Sequence, residues 1–251
     1  MLAWLKRLFA SEAALDVSVR EETWRFDPSP ERDAEQRDLW VAVHPAKSSR
    51  IVIMLPGWNG SLDGYARKYA KIAELLAERG VGAVVRSANP TVPGYPFETT
   101  CKTVLRGVVE GALARARPIC GDPSPSLLLL GWSAGASAMA ALAPDLPRVD
   151  RALLFAPSGD AGDEAIVSGL RRFTGDLFVV AGENDDVVGD LPRTLFDYAT
   201  GTHSKQFVLL PDCGHQFKGE ANGRIMSHAP LWAFAGEDGF PDPALGIHLY
   251  D

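Results

Sequence analysis

Cysteine is scarce in this chain: there are three, at Cys101, Cys120 and Cys213. The number is odd and the spacing fits neither a disulfide framework nor a zinc site. A disulfide-stapled scaffold is therefore excluded, and a reducing, cytoplasmic compartment is the simplest account. Long apolar runs are also lacking, since none approaches the roughly 20 residues needed to cross a bilayer. No basic block stands out among 25 Lys and Arg residues, which face 32 Asp and Glu for a net charge of −7. Nucleic acid is not an expected partner of such a surface. No internal repeat or low-complexity linker divides the sequence.

What is present is an ordinary globular composition, 46% apolar and 23% charged over 251 residues. That length supports one large core. The first nine residues are apolar and then basic, the reverse of a secretory leader. Leu2, Leu5, Leu8 and Phe9 recur at helical spacing. Residues 1–16 are expected to form an amphipathic helix or arm packed on the domain; membrane-surface contact through residues 1–9 is the secondary reading. Residues 17–251 are expected to form one domain.

Within it, two periodicities alternate. Residues 17–26 and 38–44 read as an antiparallel strand pair at a sheet edge. Strands follow at 50–55, 81–86, 126–130, 151–155, 178–181 and 206–210. Helices are expected at 64–79, 97–117, 164–173, 194–199 and 222–234. This order implies an α/β fold with a mostly parallel sheet covered on both faces. Ligand sites in such sheets open at the carboxyl ends of the strands.

One stretch organises the chain. Leu127 to Leu130 run into Gly131-Trp132-Ser133-Ala134-Gly135, followed by small residues suited to a tightly packed helix. A Gly-x-Ser-x-Gly pentad alone arises by accident on the order of 0.1 times in a chain of this composition. The strand before it and the helix after it give it the setting of a nucleophile elbow. Ser133 is then held in strained backbone geometry, with its hydroxyl raised into a cleft.

A serine hydroxyl needs a base, and the base needs an orienting carboxylate. Of five histidines, His215 lies on a glycine-bearing loop after the last strand, at the carboxyl edge. His44, His203, His228 and His248 fall elsewhere. The acid is expected between serine and histidine in chain order. Asp185 is the first choice on the loop after strand 178–181, Asp186 the second, and Asp160 on the preceding loop the third. Two donors should hold the oxyanion: the backbone amide of Ala134 and that of Trp58, in the loop Pro56-Gly57-Trp58-Asn59-Gly60-Ser61. Gly57, Trp58, Trp132 and Tyr95 are the expected pocket residues, with Phe97 beside Tyr95.

On these residues the chain resembles the α/β-hydrolases over roughly positions 38–235. Ser133, Asp185 and His215 stand in the family order, and Leu55-Pro56-Gly57-Trp58 resembles the family's His-Gly oxyanion loop with proline in place of histidine. The resemblance implies an α/β-hydrolase fold with a mostly parallel eight-stranded sheet, helices on both faces and no large cap. Residues 156–176 are too few for one, as in small carboxylesterases and dienelactone hydrolases. The implied activity is hydrolysis of a small-molecule carboxylic ester or thioester through an acyl-enzyme, needing no metal or organic cofactor. Amide, lactone or carbon–carbon cleavage, and acyl transfer, use the same triad. A catalytically silent protein binding a small ligand in the same pocket is the alternative outside enzymes.

Overall fold

The computed structural model describes residues 15–28 and 36–250. The amphipathic segment expected at 1–9 lies outside the described residues, as does all but the end of the 1–16 arm.

Eight strands form one sheet: β1 (Arg20–Phe26), β2 (Arg37–His44), β3 (Ser48–Leu55), β4 (Ala83–Ser87), β5 (Gly121–Trp132), β6 (Val149–Phe155), β7 (Asp176–Gly182) and β8 (Ser204–Leu210). Their spatial order is β1-β2-β4-β3-β5-β6-β7-β8. β2 runs antiparallel to both β1 and β4, and every other pair is parallel. The expected edge pair is thus β1 and β2.

The central strands are apolar on both faces because both are covered. In β3, Ile51, Ile53 and Leu55 enter one core layer while Val52 and Met54 enter the other. In β5, Leu127 and Leu129 divide from Leu128 and Leu130 in the same way. This is the two-residue period of a strand written entirely in hydrophobic residues. The first layer is closed by α2 (Phe97–Ala114), α3 (Ala116–Cys120), α4 (Ala134–Leu142), α5 (Asp163–Arg172) and α6 (Leu191–Tyr198). The second is closed by α1 (Lys68–Glu78) and α7 (Glu220–Ala235).

Three boundaries differ from expectation. The single helix expected at 97–117 breaks at Arg115, which has φ −114° and ψ 18°. Pro118 explains the break: it cannot donate to the Ala114 carbonyl, and its ring would meet that carbonyl in a continuous helix. α1 starts at Lys68 rather than at residue 64, because Ala66 and Arg67 take positive φ. β5 begins five residues early, pairing Gly121 with Ser48 before a register shift. Between β6 and β7 the chain holds only α5, so no large cap covers the carboxyl edge.

Candidate active site

β5 ends at Trp132 and α4 starts at Ala134, so Ser133 alone makes the reversal. Its backbone sits at φ 49° and ψ −119°, a region strained for any residue with a Cβ. The strain is held by neighbours on both sides. Ser133 N–H donates to the Phe155 carbonyl at 2.9 Å, and Ser137 N–H donates to the Ser133 carbonyl at 2.9 Å. The flanking glycines are required by contact. A Cβ on Gly131 would lie 2.7 Å from the Ala136 nitrogen, and one on Gly135 would lie 2.3 Å from the Leu55 carbonyl oxygen.

The structure brings Ser133, His215 and Asp185 into one hydrogen-bonded line. His215 Nε2 lies 3.0 Å from Ser133 Oγ, and His215 Nδ1 lies 2.8 Å from Asp185 Oδ2. The other carboxylate oxygen of Asp185 accepts from Val187 N–H at 3.0 Å and Val188 N–H at 3.1 Å. These amides fix the carboxylate's direction without neutralising it. The Asp185 side chain is 1% exposed and that of His215 16%. The loops carrying them are tied together where Asn184 N–H donates to the Cys213 carbonyl at 2.9 Å.

The other candidates separate cleanly. Asp186 points to solvent. Asp160 accepts from Ser158 Oγ at 2.7 Å and makes no contact with His215. His203 pairs with Asp176 at the amino edge of the sheet, and His44 is buried against Arg86. His228 lies inside α7, and His248 belongs to the tail that follows it.

The loop after β3 lies directly on Ser133: a Cβ on Gly57 would be 3.1 Å from Ser133 Cβ. Its shape is set from β4 and the residues after it. Asn89, fully buried, donates from Nδ2 to the Pro56 carbonyl at 3.0 Å, and its own N–H donates to the Gly60 carbonyl at 3.0 Å. Arg86 donates to the Leu62 carbonyl at 2.9 Å and forms an ion pair with Asp63. Gly60 N–H donates to the Gly57 carbonyl at 3.0 Å, and Trp58 N–H is left out of the loop's own pairing. The Ala134 amide, at the start of α4, belongs to the first turn, whose N–H groups lack intrahelical acceptors.

A cleft of about 730 Å³ opens over Ser133 and His215. Gly57, Trp58 and Trp132 are among the residues lining it. Trp132 contributes little free surface: it is 5% exposed, parallel to Phe155 at 5.4 Å and hydrogen-bonded through Nε1 to Met226 Sδ at 3.3 Å. Trp58 is 62% exposed, and its indole stacks on Phe97 at 5.2 Å. Tyr95 is a correction. Its ring packs against the core layer beside α2, and the cleft wall is completed by other residues. A turn from Val92, whose carbonyl accepts Tyr95 N–H at 3.1 Å, carries it there.

Sequence reasoning did not single out Lys68, Ser158 or Val188, which also line the cleft. Their positions depend on loop paths, and no motif marks them. Among the described residues, no group of three His, Cys, Asp or Glu side chains is arranged to hold a metal ion.

No known protein-family profile matches the chain, and no curated protein matches it. Solved structures do. The esterase domain of a Rhodothermus marinus protein superposes with a TM-score of 0.66 at 16% identity, covering 87% of this chain and 98% of that one. A dienelactone hydrolase from Anabaena variabilis gives 0.67 at 15% identity, covering 86% and 98%. An alpha-beta serine hydrolase homologue from Coxiella burnetii gives 0.59 at 19% identity, covering 78% and 89%. The chain therefore has the α/β-hydrolase fold, without a large cap between β6 and β7.

Proposed function

We propose that this protein is a serine hydrolase acting on a small-molecule carboxylic ester or thioester. The observation that carries the reading is the line Ser133 Oγ, His215 and Asp185 at 3.0 and 2.8 Å, built on a strained serine. His215 Nε2 takes the Ser133 proton as Oγ attacks the carbonyl carbon. Asp185 accepts from Nδ1–H, keeps the imidazole in that tautomer and stabilises the imidazolium. The backbone amides of Ala134 and Trp58 donate to the oxyanion as charge develops. His215 then returns the proton to the leaving alcohol or thiol. Water repeats the cycle on the acyl-enzyme and releases the acid. Gly57, Trp58 and Trp132 border the acyl group. Two structural neighbours, an esterase domain and a dienelactone hydrolase, agree with this reaction class. Cys101, Cys120 and Cys213 are buried and unpaired, and the reading includes a reducing, cytoplasmic setting.

Ser133→Ala should lower turnover of p-nitrophenyl butyrate by about 10⁴-fold or more. It should also abolish labelling by a fluorophosphonate probe. Labelling that survives the substitution, or activity that is unchanged by it, refutes the mechanism.

A further inference from the structure

The cleft that holds Ser133 carries one basic side chain, Lys68, in the first turn of α1. Three other basic groups among the described residues are tied down. Lys102 pairs with Glu98, Arg86 with Asp63, and Lys71 donates to the Leu249 carbonyl. No carboxylate or carbonyl among the described residues takes the Lys68 ammonium. It stands over the face of the adjacent Tyr69 ring, 5.1 Å from the centroid.

A second ammonium, Lys218, stands on the exposed loop just after His215 and also lacks a carboxylate partner among the described residues. Burial, and then the Lys218 charge, bring the Lys68 pKa down to about 8. The Asp160 and His215 side chains of the cleft already have hydrogen-bond partners, Ser158 and Asp185 respectively. An ammonium held partly out of water without a counter-ion is unfavourable unless something else supplies the anion. In a chain of net charge −7 that arrangement is not the default. Tyr65 and Trp58, both exposed, line the same cleft and give it an aromatic wall.

We propose that Lys68 forms an anion subsite in this cleft, so that the preferred substrates are esters or thioesters whose acyl chain ends in a carboxylate. The reaction part of this inference rests on the serine-hydrolase reading; the binding part does not. The ester carbonyl lies at Ser133, the methylene chain crosses the aromatic wall, and the carboxylate accepts from the Lys68 ammonium.

Two esters of equal chain length separate charge from shape: monoethyl adipate and ethyl hexanoate, with ethanol release as the readout. The unaltered chain should favour monoethyl adipate in kcat/KM by about tenfold or more, the range of a charge-assisted hydrogen bond in a partly buried site. Lys68→Met should bring that ratio down about tenfold, Lys68→Arg should keep it, and Lys68→Glu should invert it. Calorimetry on Ser133→Ala, which holds ester without turnover, should show monoethyl adipate binding about tenfold tighter than diethyl adipate, with the difference lost when Lys68→Met is added. Ratios that Lys68→Met and Lys68→Glu leave unchanged, in both assays, overturn the anion subsite. Lys68-dependent binding without turnover of either ester leaves the subsite standing and removes the hydrolase reading.

Discussion

Replacing Gly135 by alanine sets two effects of opposite sign against each other. Gly135 is the second residue of α4, immediately beyond the elbow. Alanine is the better helix former by at most about 1 kcal/mol, so helix propensity alone predicts stabilisation. Contact predicts the opposite. The added Cβ would stand 2.3 Å from the Leu55 carbonyl oxygen and 2.4 Å from that of Pro56. Ordinary contact needs about 3.5 Å, so the helix start and the end of β3 must separate by roughly 1 Å. Both partners are backbone and no rotamer can relieve them. Overpacking of this kind costs about 1–3 kcal/mol, which exceeds the propensity gain. The same displacement moves the Ala134 amide and the Gly57–Trp58 loop relative to Ser133 Oγ. A misplacement of about 1 Å in a reacting constellation lowers rate by roughly 10²-fold. Urea unfolding and p-nitrophenyl butyrate kinetics on Gly135→Ala should thus show a loss of about 1–2 kcal/mol and about two decades of kcat/KM. A variant that is more stable and fully active would refute the claim that backbone contact, rather than chance, requires glycine here.

Three further outcomes follow from the structure. Asp185→Asn keeps the shape of the carboxylate but favours the wrong imidazole tautomer, so kcat should fall by about 10⁴-fold, while Asp186→Asn at the solvent-facing neighbour should stay within about twofold. Equal losses at the two positions would contradict the geometry. Burial, and then the adjacent Arg86 guanidinium, lower the His44 pKa from 6.5 to about 4. Above pH 6.5 both states carry neutral imidazole and the contribution is fully present. As pH falls from 6.5 to 4 the unfolded chain takes the proton first, so stability declines by about 3 kcal/mol in all. Urea unfolding at pH 7.5 and 4.5 should show a smaller pH dependence in His44→Gln than in the unaltered chain, and equal slopes would exclude His44 as the cause. Phe155→Ala removes a fully buried ring that contacts Trp132 and Phe217, and thermal unfolding should register a loss of about 3–5 kcal/mol; a loss below about 1 kcal/mol would mean the site floor is not packed as described.

Much of this arrangement is legible in the residues themselves. Leu127–Leu130 and Ile51–Leu55 are too uniformly apolar for anything but strands buried on both faces, and the structure puts each alternate residue into a different core layer. The pentad around Ser133 marks the turn, because only glycine tolerates backbone at the distances found at positions 131 and 135. Chain order was enough to separate His215 from His203, since strand direction assigns them to opposite edges.

Other features had no local signature. Asp185 and Asp186 are the same residue type one position apart, and only the Val187 and Val188 amides and the approach of His215 separate them. Tyr95 was expected in the pocket with Phe97 beside it, yet its ring packs against the core after the turn in which Val92 accepts its N–H. Lys68 joins the cleft only because Ala66 and Arg67 adopt positive φ and delay the helix. By itself, then, the sequence determined the strands, the elbow and the chain order of Ser133, Asp185 and His215, because periodicity and steric exclusion act between near neighbours. The tertiary structure decided which carboxylate meets the imidazole and which side chains line the cleft, because those outcomes depend on loop paths that bring residues 82 and 30 positions apart into hydrogen-bond range.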